Sequence, residues 1–220
     1  DPRIDAMRSK TVLIEDERYT REQRDPKKLS NPNAIQIRFA DGSTTERVEV
    51  EFPLGHPRRY AEAMPMLASP GDPGNGLPVA ELPSGGTPIS IAYGGSCTGG
   101  KQEDFDCYHE VFHWALGRDL RVPEGVRLYL QFGTTAVRDY CEARGYMRTF
   151  QEIGAEIVLP DCGACANCGP GQSLSADDVT ISAINRNFPG RSGPGKVWLA
   201  SPYTVAASAV AGRIASFEQL

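Results

Sequence analysis

Cys162 and Cys165 are spaced CxxC, a separation that turns two thiolates toward one metal atom or one face of a cluster. Cys97 stands in a separate glycine-rich run, Gly94-Gly95-Ser96-Cys97-Thr98-Gly99-Gly100, from which it can supply a third thiolate. Thiolates are soft ligands and select zinc or iron-sulfur clusters. The glycines on both sides, among them Gly94, Gly95, Gly99, Gly100, Gly163 and Gly169, let the backbone wrap closely and aim amide donors at sulfide or substrate. A structural zinc site has less need of them. A further unusual run, Asn185-Arg186-Asn187-Phe188-Pro189-Gly190-Arg191, brings two guanidinium groups close together in sequence.

From Pro88 onward the pattern is strand, loop, helix, repeated: ISIAYGG precedes a helix to Gly117, and RLYLQFG precedes a helix to Gly154. EIVLP, DVTISAI and VWLAS follow as further strands. Short strands rich in Val, Ile and Leu that alternate with amphipathic helices predict an α/β fold, a three-layer αβα sandwich with a mostly parallel sheet. In such folds sites gather where strands end in loops. The cysteine and arginine runs occupy those positions, after the first, third and fourth strands.

Residues 1–66 differ in character. A polar helix and an apolar strand, Thr11-Val12-Leu13-Ile14, precede a charged stretch from Glu15 to Lys28 that is too polar for a core. Ile35 to Phe39 and Val48 to Phe52 then alternate apolar and polar around Asp41-Gly42, which predicts a hairpin with one buried face. Residues 67–87 are rich in Pro and Gly without a period and are read as a linker, so the main domain is placed at residues 88–220. The small preceding α+β segment ends near residue 66.

Two resemblances rest on these runs. GSCTGG, LPDCGAC and SAINRNFPGR, in this order, resemble the cluster-binding domain of the aconitase and isopropylmalate isomerase family over residues 88–220. The resemblance implies a [4Fe-4S] cluster held by Cys97, Cys162 and Cys165, with one open iron that acts as a Lewis acid. It also implies that Asn185, Arg186 and Arg191 bind substrate, the arginines pairing with carboxylates through their planar forks. Three ligands leave a position for a hydroxyl leaving group, and a fourth would close it. The family usually has Asn where this chain has Gly99, so a substrate different from citrate is expected. Cys168, just beyond the pair, is read as a buried thiol, with a fourth ligand as the alternative. Glu103 and Asp104 match acidic positions of the family and also suit a helix N-terminus.

The run ADGSTTERVEVEFPLGHPRR, with NAIQIRF before it and MPML after it, resembles the C-terminal end of the MmgE/PrpD family, which includes 2-methylcitrate dehydratases. That family's catalytic residues lie mostly upstream of this tail. His56, Arg58 and Arg59 are therefore read as a solvated basic strand end.

The remaining signals are set aside. His109-Glu110-Val111-Phe112-His113 fits HExxH, but its histidines flank an apolar stripe and no third His follows. Cys107 and Cys141 are read as small hydrophobes in helices. Ser201-Pro202 opens a small-residue helix that packs on the sheet. A net charge of -5 and a pI near 5.3 argue against nucleic acid as a partner, and no apolar run reaches the roughly 20 residues of a membrane span. Asp1 to Asp5 show neither an initiator Met nor a secretion signal, which predicts a start inside a longer polypeptide. Six cysteines without that signal predict reduced thiols and a cytoplasmic protein.

The expected function is a hydro-lyase component that dehydrates and rehydrates a small hydroxy di- or tricarboxylate such as citrate, 2-methylisocitrate or isopropylmalate. Its histidine, acidic partners and serine base are expected from other aconitase domains or a small swivelling-domain subunit. The alternative is a non-catalytic metal-binding or scaffold fragment of fused dehydratase genes.

Overall fold

The computed structural model describes residues 2–25, 28, 32–51, 64–83 and 85–220. It divides into two units, Asp1–Tyr60 and Ala61–Leu220. His56, Arg58 and Arg59 lie outside the described residues, as does Phe52 at the end of the expected hairpin.

The first unit holds α1 (Pro2–Arg8), α2 (Glu17–Arg24), β1 (Asn33–Ile35) and β2 (Val48–Val50). The strands pair antiparallel, with Asn33 opposite Val50. Asp41 side-chain oxygen accepts from the Ser43 amide at 2.9 Å, and Gly42 takes the positive φ of 89° that the turn needs. The expected buried face does not form: all six paired residues are exposed, and neither helix buries a residue. A two-stranded ribbon has no third layer to cover its apolar side. Thr11 to Ile14 is exposed, irregular backbone rather than a strand, and α2 forms in the charged stretch that follows.

In the second unit β3 (Met66–Ala68), β4 (Gly76–Pro78), β5 (Ile91–Gly95), β6 (Arg127–Gln131), β7 (Glu156–Val158), β8 (Val179–Ser182) and β9 (Lys196–Ala200) form a seven-stranded sheet in the order β4-β3-β9-β8-β5-β6-β7. The five strands β5 to β9 are mutually parallel. The segment read as a linker is not one: β3 and β4 make an antiparallel hairpin, and β3 pairs with β9. Its register comes from a strand more than a hundred residues away, which a local pattern does not carry.

β5, β6 and β7 follow one another across the sheet. The helices between them, α4 (Gln102–Leu116), then α5 (Thr135–Ala143) and α6 (Tyr146–Glu152), share one face, as right-handed crossovers require. The short α3 (Ser96–Gly99) precedes α4. α7 (Pro202–Ala211) packs on the same face, with Ala206, Ala207 and Ala209 fully buried. The chain then returns from β7 to β8 on the far side of β5, and residues 159–178 cross the opposite face over Ile91, Tyr93 and Tyr129.

Local chemistry fixes the helix limits. Asp104 carboxylate accepts from the Lys101 amide at 3.0 Å and caps α4. Phe105, Tyr108, Phe112 and Ala115 then repeat at helical spacing and are fully buried. Gly145, with φ of 74°, ends α5 and splits the single helix expected up to Gly154. Among the described residues no helix is long and apolar enough to cross a membrane.

Phe105 stacks on Phe132 at 4.7 Å and meets Phe150 and Tyr108 edge-on. Phe105→Ala should cost about 3–5 kcal/mol of stability, read as a lower urea midpoint. An unchanged midpoint would contradict this core.

Candidate functional site

The strand order reverses between β5 and β8, and the loops leaving their carboxyl ends flank the crevice where α/β folds place ligands. β5 ends at Gly95, whose φ is 101°; a Cβ there would lie 1.9 Å from the Gln131 carbonyl oxygen. Cys97 follows on α3 and is exposed. Its loop is pinned on two sides. The Gly95 amide donates to the Tyr108 hydroxyl, which donates to the Gly99 carbonyl, each at 3.0 Å. The Gly133 amide donates to the Gly100 carbonyl at 3.0 Å. A Cβ on Gly99 would meet Ala183 at 2.7 Å, so the loop lies against the end of β8. Glycine at 99 is thus required by a close backbone contact, a reason its sequence context did not supply.

Cys162 and Cys165 lie on the return from β7. Asp161 carboxylate accepts from the Cys162 amide at 2.7 Å, and residues 164–166 form a 3-10 turn closed by Asn167 at φ 56°. Cys162 is exposed and Cys165 half-buried against Tyr93. Cys168 is exposed rather than buried, and its Sγ donates to the Cys162 and Gly163 carbonyls at 3.1 and 3.4 Å. Ser173 laces this loop to the arginine loop: its amide and hydroxyl both donate to the Ser192 carbonyl, at 2.8 and 2.9 Å.

Asn185 and Arg186 are exposed after β8, and Arg191 is half-buried with its guanidinium 5.8 Å from the Phe188 ring. Asn187 is buried and donates to the Ser69 carbonyl at 2.6 Å, which fastens the loop to β3. Arg191 Nε, Asn187 Oδ1, Ser192 Oγ and, beside Cys97, Ser96 Oγ are buried polar atoms with no partner. Buried polar groups are nearly always satisfied, so their concentration on these loops suits a polar or charged occupant.

An open cleft of about 400 Å³ lies beside Cys97, lined also by Lys101, Gln102, Glu103 and Thr134. Cys162, Cys165, Arg186 and Arg191 do not line it. Among the described residues no three His, Cys, Asp or Glu side chains are grouped to hold a single metal ion. The structure therefore joins the loop backbones that carry the candidate residues without gathering their side chains on one ion.

The other sequence candidates have structural explanations. Cys107 and Cys141 are buried, and burial pushes the Cys141 thiol up to about 12. Asp104 is committed to its cap, its carboxyl raised by burial, while Glu103 is exposed. His109 of the HExxH motif stacks on Tyr146 at 3.8 Å, and Glu110 accepts from the Tyr203 hydroxyl. The sequence reading missed Tyr93, Tyr108 and Gln131, the polar residues that hold the loops. Their signal was a polar side chain inside an otherwise apolar strand or stripe.

Residues 74–212 match the aconitase family (aconitate hydratase), and residues 1–67 match the MmgE/PrpD C-terminal domain. The chain belongs to the aconitase family. It is 33% identical over 202 residues to the chloroplastic 3-isopropylmalate dehydratase large subunit of Arabidopsis thaliana, a match covering 84% of this chain and 39% of that protein. It is 34% identical to the mitochondrial homoaconitase of Gibberella zeae, over 69% of this chain and 20% of that one. With the Aliarcobacter butzleri 3-isopropylmalate dehydratase large subunit it shares 36% identity, over 70% and 35%. The matches to these relatives span between a fifth and two fifths of their length.

Gly95→Ala should destabilise the second unit by about 3 kcal/mol, read by urea unfolding, because both the backbone angle and the Gln131 contact oppose a side chain. Burial, then His113, holds the His109 imidazole below its ordinary range. The unfolded chain therefore binds more protons at this residue, so its contribution falls as pH drops through about 6.5 toward the lower folded value. His109→Phe, which keeps the ring stack, should reduce the loss of melting temperature between pH 7.5 and 5. An identical pH profile would contradict that assignment.

Proposed function

We propose that this chain supplies the cluster-binding domain of an aconitase-type hydro-lyase, with Cys97, Cys162 and Cys165 as ligands of a [4Fe-4S] cluster. The observation that supports this most is the placement of the three thiols on loops fastened to the carboxyl ends of β5 and β6, beside the reversal of strand order. The donor set suits the group. Soft thiolates favour zinc or an iron-sulfur cluster, and the resemblance of these loops to the family's cluster-binding domain favours the cluster. The unpartnered Ser96 Oγ and Arg191 Nε add polar atoms in want of an occupant.

When bound, the cluster supplies a Lewis-acid iron for the hydroxyl and carboxylate of a hydroxy di- or tricarboxylate. Arg186 and Arg191 hold the substrate's remaining carboxylates, and Asn185 adds an amide. The Gly-rich backbone around Cys97 and the lacing of residue 173 to residue 192 keep the two sides of the site in register. The proton-transfer groups come from further aconitase domains or a small subunit, since the relatives named large subunits imply a second chain. The compartment proposed is the cytoplasm, where thiols stay reduced.

Anaerobic reconstitution of the chain with iron and sulfide should give a brown protein with broad absorption in the blue. Cys97→Ser, Cys162→Ser and Cys165→Ser should each abolish the colour, and Cys107→Ser should keep it. A colourless, zinc-loaded product would support the scaffold reading instead. With a captured small-subunit partner, Arg191→Lys should weaken binding of the accepted acid by more than about tenfold among citrate, isopropylmalate and 2-methylisocitrate. Retained affinity would remove Arg191 from the substrate site.

A further inference from the structure

The sheet beneath the cysteines contains a buried polar pair that the proposed ligand set does not use. Tyr93 and Gln131 are 1% and 0% exposed in the neighbouring strands β5 and β6. Gln131 Nε2 donates to the Asp161 carbonyl at 2.9 Å and to the Leu159 carbonyl at 3.2 Å. That fixes the amide's orientation, so Oε1 must accept, and it does so from the Tyr93 hydroxyl at 2.7 Å. The phenol oxygen lies directly under Gly163 of the cysteine loop. Every bond in this chain has one possible direction, and it ends on the backbone carbonyls of residues 159 and 161.

Those two carbonyls immediately precede Cys162. The fit above the pair is close: a Cβ on Gly163 would stand 2.5 Å from the Tyr93 hydroxyl and 3.0 Å from Gln131 Nε2. Cys165 itself packs in the small apolar group around Tyr93. A polar pair in the middle of an apolar parallel sheet is costly unless every group is satisfied, and a Leu or Phe pair would fill the same space. What the apolar pair could not do is hold a loop that has only a 3-10 turn of its own.

We propose that Tyr93 and Gln131 are positioning residues that set the backbone of residues 159–165 and so aim Cys162 and Cys165 at the cluster. The inference rests on the function proposed above.

The test uses the full chain and two shape-conserving variants, Tyr93→Phe and Gln131→Met. Each is reconstituted anaerobically, then followed by iron release to a chelator and by EPR after one-electron reduction. Amide exchange at residues 162–168 and the melting temperature are measured on the cluster-free chain. Both variants should release iron about tenfold faster, equivalent to 1.4 kcal/mol, and should alter the EPR signal. The double variant should be no worse than the more severe single one, because both cut the same chain. Cluster-free, both should exchange the 162–168 amides faster than wild type. Wild-type iron release and exchange in both variants, whatever their melting temperatures, would overturn the positioning role. If wild type takes up no cluster, the function proposed above fails instead, and amide exchange alone decides whether the pair sets the loop.

Discussion

Everything at the candidate site follows from the reversal of strand order between β5 and β8. Three consecutive parallel strands run out in one direction with their helices on one face. The chain must then come back to start β8 on the other side of β5, and right-handedness sends that return over the opposite face. The return segment is the one that holds Cys162 and Cys165. One topological requirement thus brings a loop from the far edge of the sheet across the strand that ends in the Cys97 loop. No local preference of the cysteine segment could achieve that.

Close backbone approach does the rest. Gly95, Gly99, Gly100 and Gly163 all sit where a Cβ would stand within 3.0 Å of another group, at Gln131, Ala183, Ser96 and Tyr93 respectively. The loops are therefore held by close contact of main chain with main chain at Gly95, Gly99 and Gly100 and with the Tyr93 side chain at Gly163, tightened by hydrogen bonds from Tyr108, Gln131 and Ser173. On these loops Ser96 Oγ, Asn187 Oδ1, Arg191 Nε and Ser192 Oγ are left buried without partners, donors and acceptors together. The first unit is different in kind: its hairpin leaves Ile35, Ile37, Phe39 and Val48 exposed. Residues 1–67, which include it, match the MmgE/PrpD C-terminal domain.

The five parallel strands, α4 and α7 were legible because their signals are local: apolar runs, a helical stripe, a Ser-Pro start. The aconitase family was legible because its cysteine and arginine loops are short and contiguous in sequence. The edge hairpin of β3 and β4 was not, since Leu67 and Ala68 become a strand only by pairing with Leu199 and Ala200. The split at Gly145 depends on a positive φ that a glycine permits but does not dictate. Cys168 was read as a buried thiol because an unpaired cysteine usually behaves as a small hydrophobe, yet it lies just past the 3-10 turn and is exposed. Tyr93 and Gln131 were passed over as ordinary strand residues, although a fully buried glutamine is the kind of polar exception that asks for an explanation.

The central claim is that thiols from two separate loops meet at one inorganic centre. Mass-spectrometric mapping of alkylated cysteines, before and after anaerobic reconstitution, tests it directly. The account predicts that Cys97, Cys162 and Cys165 become protected together while Cys168 stays reactive. Protection of Cys162, Cys165 and Cys168 with Cys97 still alkylated would place any metal in a single loop and contradict it.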